Sequence, residues 1–347
     1  MLDNVLIQRL IGALTAFLGA LIAQYLNMPL PWLLGPLTAV AAVRLLNGPI
    51  SAYGPFRSAG QWVIGASLGL YFSTEILDLV ARYWIAIAIG MVVPVVLSFF
   101  GSKIIQRVGR TDFKTAWFAA AIGGASEMST LAERYDARAD LVASAHSVRV
   151  LTVVVLIPFG YMLWGITGSD SSALTQRLVD YDQFPILILA TVAAGAVFAL
   201  LRIPNAWVLG PLAAAAGLTL SGVTFTSMPN YMVNLGQLLI GWNLGDKYRP
   251  DFFKAAPRFL LGVVIFSVIS LLLAMLVGYV ITLVTDIPLA TIWLGMAPGG
   301  LAEMTITAKV LELGVPIVTA FQVSRLVFVV LITGWLYNKL APHREQA

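Results

Sequence analysis

Apolar residues run through this chain in long unbroken stretches, with the polar positions gathered at their ends. The clearest stretches are 82–102, 141–165, 184–201, 257–284 and 316–340. Each approaches or exceeds the ~20 residues that carry a helix across a bilayer. Read with their shorter companions, the pattern predicts crossing segments at about 5–26, 31–47, 58–73, 82–102 and 143–165. A second set follows at about 184–201, 206–221, 231–246, 258–284 and 316–338. Between the fourth and fifth segments of each set lies a shorter, glycine-broken apolar segment, around 114–131 and 290–308. The longest polar stretch, about 167–183, reads as a loop and cannot fold as a separate soluble domain. The expected fold is therefore all-α and polytopic.

The pattern is also written twice. "MPLPWLLGPLTA" (28–39) matches "IPNAWVLGPLAA" (203–214) at an offset of 175. "GQWVIGASLG" (60–69) matches "GQLLIGWNLG" (236–245), and "GGASEMS" (123–129) matches "GGLAEMT" (299–305), both at 176. Arg149 pairs with Arg325 at the same offset. Repeated blocks in the same order identify an internal duplication. The first repeat is 1–166, the linker loop 167–183 and the second repeat 184–347. If each broken segment enters and leaves on one side as a re-entrant hairpin, each half crosses five times. An odd number of crossings turns the second half upside down, giving inverted 5+5 repeats.

Charge supports this orientation. Starting inside, the inner loops hold Arg44, Arg57, Lys103, Arg107, Arg110, Lys114, Arg134, Arg138, Arg202, Lys247, Arg249, Lys254, Arg258, Lys339 and Arg344. The outer loops hold Arg82, Arg177 and Lys309 beside Glu75, Asp78, Asp170, Asp180, Asp182, Asp286 and Glu312. An excess of Lys and Arg marks cytoplasmic loops, so both termini are expected in the cytoplasm. The N-terminus lacks a basic region followed by a small-residue cleavage site, so the first helix is expected to be retained.

Composition sharpens the picture. The 347 residues are 59% hydrophobic and 11% charged, where soluble domains carry about 25% charged residues. The net charge of +4 is accounted for by membrane orientation, and no nucleic-acid-binding module is visible. With no cysteine and two histidines, His146 and His343, disulfides, thiolate metal sites and iron–sulfur clusters are excluded. No cofactor, metal site or enzymatic activity is expected.

The repeated motifs suggest where function lies. Backbone broken inside hydrocarbon survives only where protein buries it or water reaches it. Gly123, Gly124, Gly299 and Gly300 permit the turn, and Pro298 cannot donate to the preceding turn. The residues that follow would begin half-helices with free amides and a positive dipole end. Ser126, Ser129 and Thr305 add hydroxyls there. Such half-helix ends bind substrate or coupling ion in transporters built from repeats, although small residues also serve close helix packing. Glu127 and Glu303 need a cavity or a partner at that depth. Arg149 and Arg325 offer themselves as structural partners; alternatively they receive an anionic substrate while the glutamates carry protons. Gly65/Gly69 and Gly241/Gly245 read as close helix crossings, with Gln61, Gln237 and Asn243 available to line a path. Trp32 and Trp207 read as interfacial anchors. His146 aligns with Gln322 and reads as polar packing.

Taken together, the paired "PWLLGP"/"AWVLGP" and "GGASEM"/"GGLAEM" elements with their downstream arginines resemble the AbrB family of bacterial membrane proteins, over essentially the whole chain. The resemblance implies an antiporter- and anion-transporter-like fold with a midplane transport site. Family members also carry the labels ammonia monooxygenase and regulator of a DNA-alkylation-response gene. The oxygenase label fits poorly, since copper or non-haem iron sites want clustered histidines. The expected function is secondary transport of a small organic solute, an anion or amino acid, by alternating access in the bacterial inner membrane. The alternative is a membrane sensor without net transport. The expected partners are a small-molecule substrate, the lipid bilayer and a second copy of the chain; nucleic acid is not among them.

Overall fold

The structure, a computed structural model, describes residues 5–72, 78, 80–168, 179–222, 226–248 and 256–340, with all their side chains except that of Ser126. Of the loop charges weighed above, Glu75, Asp170, Arg177, Arg249, Lys254 and Arg344 lie outside this set. The described residues form helices and turns without a strand. The first half supplies α1 (Val5–Tyr25), α2 (Pro31–Leu45), α3 (Gly54–Gly69), α4 (Trp84–Gly109), α5 (Phe113–Ala120), α6 (Ala125–Arg134) and α7 (Ala139–Leu163). The second supplies α8 (Phe184–Leu200), α9 (Ala206–Leu220), α10 (Asn230–Gly245), α11 (Pro257–Thr282), α12 (Leu289–Met296), α13 (Leu301–Val310) and α14 (Val315–Leu340).

The halves agree in detail. α2 and α9 each have 15 residues, α3 and α10 each 16, and α4 and α11 each 26. The short pairs agree too, with 8 residues in α5 and α12 and 10 in α6 and α13. Left-handed backbone recurs at matched turns: Asn27 with Arg202, Leu30 with Asn205, Asn47 with Gly222, and Asp136 with Glu312. A non-glycine residue in that region costs about 1–2 kcal/mol.

Five helices (α1, α4, α7, α11 and α14) have at least 18 residues and are apolar enough to cross a membrane. α2, α8 and α9 are apolar but have only 15 or 17 residues. At a rise of ~1.5 Å per residue they reach about 22–26 Å, less than a ~30 Å hydrocarbon core. The predicted bounds exceed the observed ones by one or two residues at the C-terminal ends, where left-handed turns at Asn47, Arg202 and Gly222 close the helices. The outer surface is apolar: Leu10, Leu14, Leu189, Leu272 and Leu276 are all more than half exposed. A surface of that kind belongs in lipid. The protein is an all-α, membrane-embedded one.

The chain packs as two compact units. The first comprises Met1–Leu79, Pro158–Asp251 and Lys309–Pro316; the second comprises Val80–Ile157, Phe252–Ala308 and Ile317–Ala347. Each draws on both halves of the sequence, so the 167–183 loop divides the sequence without dividing the packing.

In the first unit α1 packs on α2 and α8 on α9, while α3 packs on α9 and α10 on α2. The contacts are reciprocal. Gly65 and Gly69 of α3 lie against the carbonyls of Val208 and Leu212, and Gly241 and Gly245 of α10 lie against those of Leu33 and Leu37. A Cβ at any of the four would strike backbone, so the helices touch only because these side chains are missing.

In the second unit the equivalent helices α4 and α11 lie side by side and run in opposite directions. Gly101 meets Phe266, Ile105 and Val108 meet Gly262, and Gly109 meets Phe259. Phe113, Trp117, Phe118, Phe259 and Phe266 fill the core beneath them.

Candidate functional site: two broken hairpins

The second unit carries both glycine-broken segments. The first begins at Asp112, whose carboxylate accepts from the Thr115 amide at 2.6 Å and caps α5. α5 stops at Ala121, where the backbone turns extended (φ −55°, ψ 125°), and α6 starts after Gly124. α6 then comes back. Past its end the Arg138 amide donates to Thr115 Oγ1 at 3.1 Å, and the Tyr135 ring lies 5.3 Å from that of Phe118. Entry and exit are therefore at one end, which is the geometry of a hairpin. In the second copy α12 stops at Ala297 with nearly the same backbone (φ −56°, ψ 135°), and α13 begins at Leu301.

The arginines serve these breaks directly. Arg149 donates through Nη1 to Ala121 O at 2.7 Å and through Nη2 to Gly123 O at 3.0 Å. Arg325 donates to Ala297 O at 2.5 Å and Gly299 O at 2.9 Å. Both side chains are buried. The fork thus covers carbonyls that lost their helical partners and places positive charge at the negative end of a half-helix. Bonds from a charged donor are stronger than neutral ones. The ion pairs among the described residues are Arg44–Asp246, Arg82–Asp286 and Arg138–Asp140, so neither glutamate at the breaks is paired with an arginine. The Nε atoms of Arg149 and Arg325 are buried without a partner.

Glu127 and Glu303 sit at the other side of each break, in the first turn of α6 and α13. Each folds back over the glycine that precedes its helix. A Cβ at Gly124 would fall on the Glu127 carboxylate, and one at Gly300 on that of Glu303. This close approach explains the second glycine of each pair. Negative charge at a helix start complements its dipole. Glu303 is 6% exposed, whereas Glu127 is only half-buried.

The remaining predicted residues fall into place as follows. Ser129 Oγ donates to Ala125 O at 2.7 Å, and Thr305 Oγ1 to Leu301 O at 2.7 Å, so both hydroxyl hydrogens are used within their own helices. The Ser126 side chain lies outside the described set. Gln61, Gln237 and Asn243 belong to the first unit, where Asn243 Nδ2 donates to Tyr53 O and Leu239 O at 3.4 Å each. Lys309, assigned from sequence to an outer loop, donates to Ser67 Oγ at 2.6 Å and lies over the Tyr71 ring. No group of three or more His, Asp or Glu side chains positioned for a metal occurs among the described residues.

Two features go beyond the sequence reading, which gave His146 as polar packing without its partners and did not single out Ser98. His146 and Gln322 both reach the end of the preceding half-helix, His146 Nε2 at 3.0 Å from Phe118 O and Gln322 Nε2 at 3.0 Å from the equivalent Leu294 O. Ser98 Oγ accepts from the Ile122 amide at 3.2 Å. In the second copy these positions are Ala274 and Pro298, where no amide hydrogen needs a partner. The signal for both was the same: a paired difference between otherwise matching halves.

A family model described as Transition state regulatory protein AbrB matches residues 32–341. The chain belongs to the AbrB family. The match runs from α2 to the end of α14 and so includes both hairpins and both arginines. Two relatives align over nearly their whole lengths. One, "Uncharacterized protein YhjN" of Bacillus subtilis (strain 168), is 26% identical over 350 residues, covering 93% of this chain and 90% of the relative. The other, "Putative regulator AbrB" of Escherichia coli (strain K12), is 27% identical over 322 residues, covering 89% of each.

Proposed function

We propose that this AbrB-family protein is a secondary active transporter. It moves a small organic anion or amino acid across the bacterial inner membrane by alternating access, and Glu127 and Glu303 carry the coupling protons. One observation carries the reading: two carboxylates stand at helix starts within a lipid-embedded unit, while the nearby arginines are committed to backbone carbonyls. An ionised carboxylate without a cation at that depth costs several kcal/mol, so it calls for a cavity or a cation partner. The antiparallel course of α4 and α11 and the single-ended first hairpin support two oppositely oriented copies with five crossings each. Half-helix ends in such repeats are where solute and ion bind. On this reading the second unit moves, the first is the scaffold and dimer contact, and both termini are cytoplasmic.

The test is solute-driven proton flux and pH-gradient-driven uptake in proteoliposomes containing Glu127→Gln or Glu303→Gln protein. Each variant that remains folded is expected to lose at least about tenfold in uptake, a threshold below the roughly 10²–10⁴-fold that a positioned acid–base group contributes. Unchanged uptake with unchanged pH dependence in both would remove the proton-carrier role. A second reading, a membrane sensor without net transport, is favoured by the regulator name of the Escherichia coli relative. It predicts ligand binding with no flux.

A further inference from the structure

The two breaks differ at the residue one turn before each arginine. In the first, His146 uses both ring nitrogens. Nε2 lies 3.0 Å from Phe118 O and must donate to it, which leaves Nδ1 to accept from Arg149 Nη2 at 3.0 Å. In the second, Gln322 Nε2 donates to Leu294 O and Gly295 O at 3.0 Å and to Ala297 O at 3.2 Å. Turning the amide over would set its oxygen against three carbonyl oxygens, so the orientation is fixed. Oε1 is then buried with no partner, on a residue with no exposed surface. Arg325, 4% exposed, donates to Ala297 O and Gly299 O alone among the described residues, and its Nε–H is buried and unmet. Gln322 and Arg325 share Ala297 O, which sets amide and guanidinium side by side. An unmet acceptor and an unmet charged donor, adjacent and buried, each cost about 1–3 kcal/mol, an expense that a bound group would relieve.

We propose that the second break, rather than the first, holds the solute. The solute is a small carboxylate bearing an O–H or N–H donor next to the carboxyl group, as in a 2-hydroxy acid or an α-amino acid. Its carboxylate accepts from the free N–H groups of Arg325, and its donor serves Gln322 Oε1. In the first copy Arg149 Nε is unmet too, but His146 supplies an acceptor to Nη2 and the equivalent of the open Gln322 Oε1 is used, so that break is a brace. Both unmet atoms are closed to solvent in this conformation, as in the occluded stage of alternating access. The assignment rests on the transport reading above and names its solute class.

The experiment is equilibrium binding and thermal shift of the purified full chain with lactate, alanine and propionate. Lactate or alanine is expected to bind, and propionate, which lacks the donor, to bind at least about tenfold more weakly. Gln322→His, which copies the first break into the second, is expected to lose at least about tenfold in affinity, while His146→Gln stays within about threefold. Gln322→Met removes the acceptor at similar volume and gives the same loss, should Gln322→His fail to accumulate. Equal binding of propionate, equal losses from the His146 and Gln322 changes, or no binding of any of the three overturns the assignment. Flux that depends on the glutamates without binding of these probes overturns this assignment and leaves the transport reading standing. Binding without flux sinks transport and leaves the site.

Discussion

The first break and the second are built to one plan and finished differently. In both, an arginine covers the carbonyl end, a glutamate stands at the amide end, and a glycine makes room for that glutamate. Around the first, Ser98 takes the Ile122 amide and His146 takes a hydrogen of Arg149, which leaves Arg149 Nε unmet but no side-chain acceptor open among the described residues there. Around the second, Pro298 removes the amide altogether, and Gln322 Oε1 is left open. Duplication preserved what a broken helix requires in lipid, and divergence acted on the polar groups left over. A site of function is best sought where the finishing is incomplete.

Four changes would break or sharpen this comparison, beginning with the arginines. Arg149→Ala or Arg325→Ala uncovers two buried carbonyls and is expected to cost about 3 kcal/mol or more in thermal unfolding in detergent. Lysine should recover only part, since an ammonium cannot fork across two oxygens. Full recovery by lysine would remove the clamp argument. Next come the glycines. Gly300→Ala drives a methyl into the Glu303 carboxylate and is expected to cost about 1–3 kcal/mol, with Gly124→Ala milder because Glu127 is less enclosed. Adding Glu303→Ala to Gly300→Ala should restore about 1 kcal/mol or more relative to additivity. Additive losses would show that the carboxylate is not what excludes the side chain.

Ser98→Ala should cost about 1–2 kcal/mol by stranding the Ile122 amide, while the second copy already carries alanine at the matching position. Combining it with Ile122→Pro, as the second break has it, should return part of that loss. The smallest effect is expected at Lys309, where Ser67→Ala removes one hydrogen bond and should cost about 1 kcal/mol. A larger loss would mean that the ammonium has a role beyond its place at the end of α3.

Much of this architecture was legible in the sequence. Apolar runs marked the helices because lipid permits no polar face, and repetition marked the halves. "GGASEM" and "GGLAEM" located both interruptions, since paired glycines in an apolar segment have few other uses at that depth. The partners of Arg149 and Arg325 were not legible. Opposite charges nearby suggest a pair, but the groups these arginines serve are backbone carbonyls, which no residue letter records. The two packed units were hidden for a related reason. Gly65 touches Val208 and Gly241 touches Leu33 across separations that no local pattern encodes.

Those reciprocal contacts have a consequence for the chain as a polypeptide. Within the first unit each half provides the groove into which the other half's helix settles, so neither finishes that unit by itself. Fragments ending and starting in the 167–183 loop should therefore be degraded when made singly and should reassemble when made together. An ancestor of half this size would have had to meet its twin before it could settle in a bilayer, and the loop preserves that meeting in covalent form.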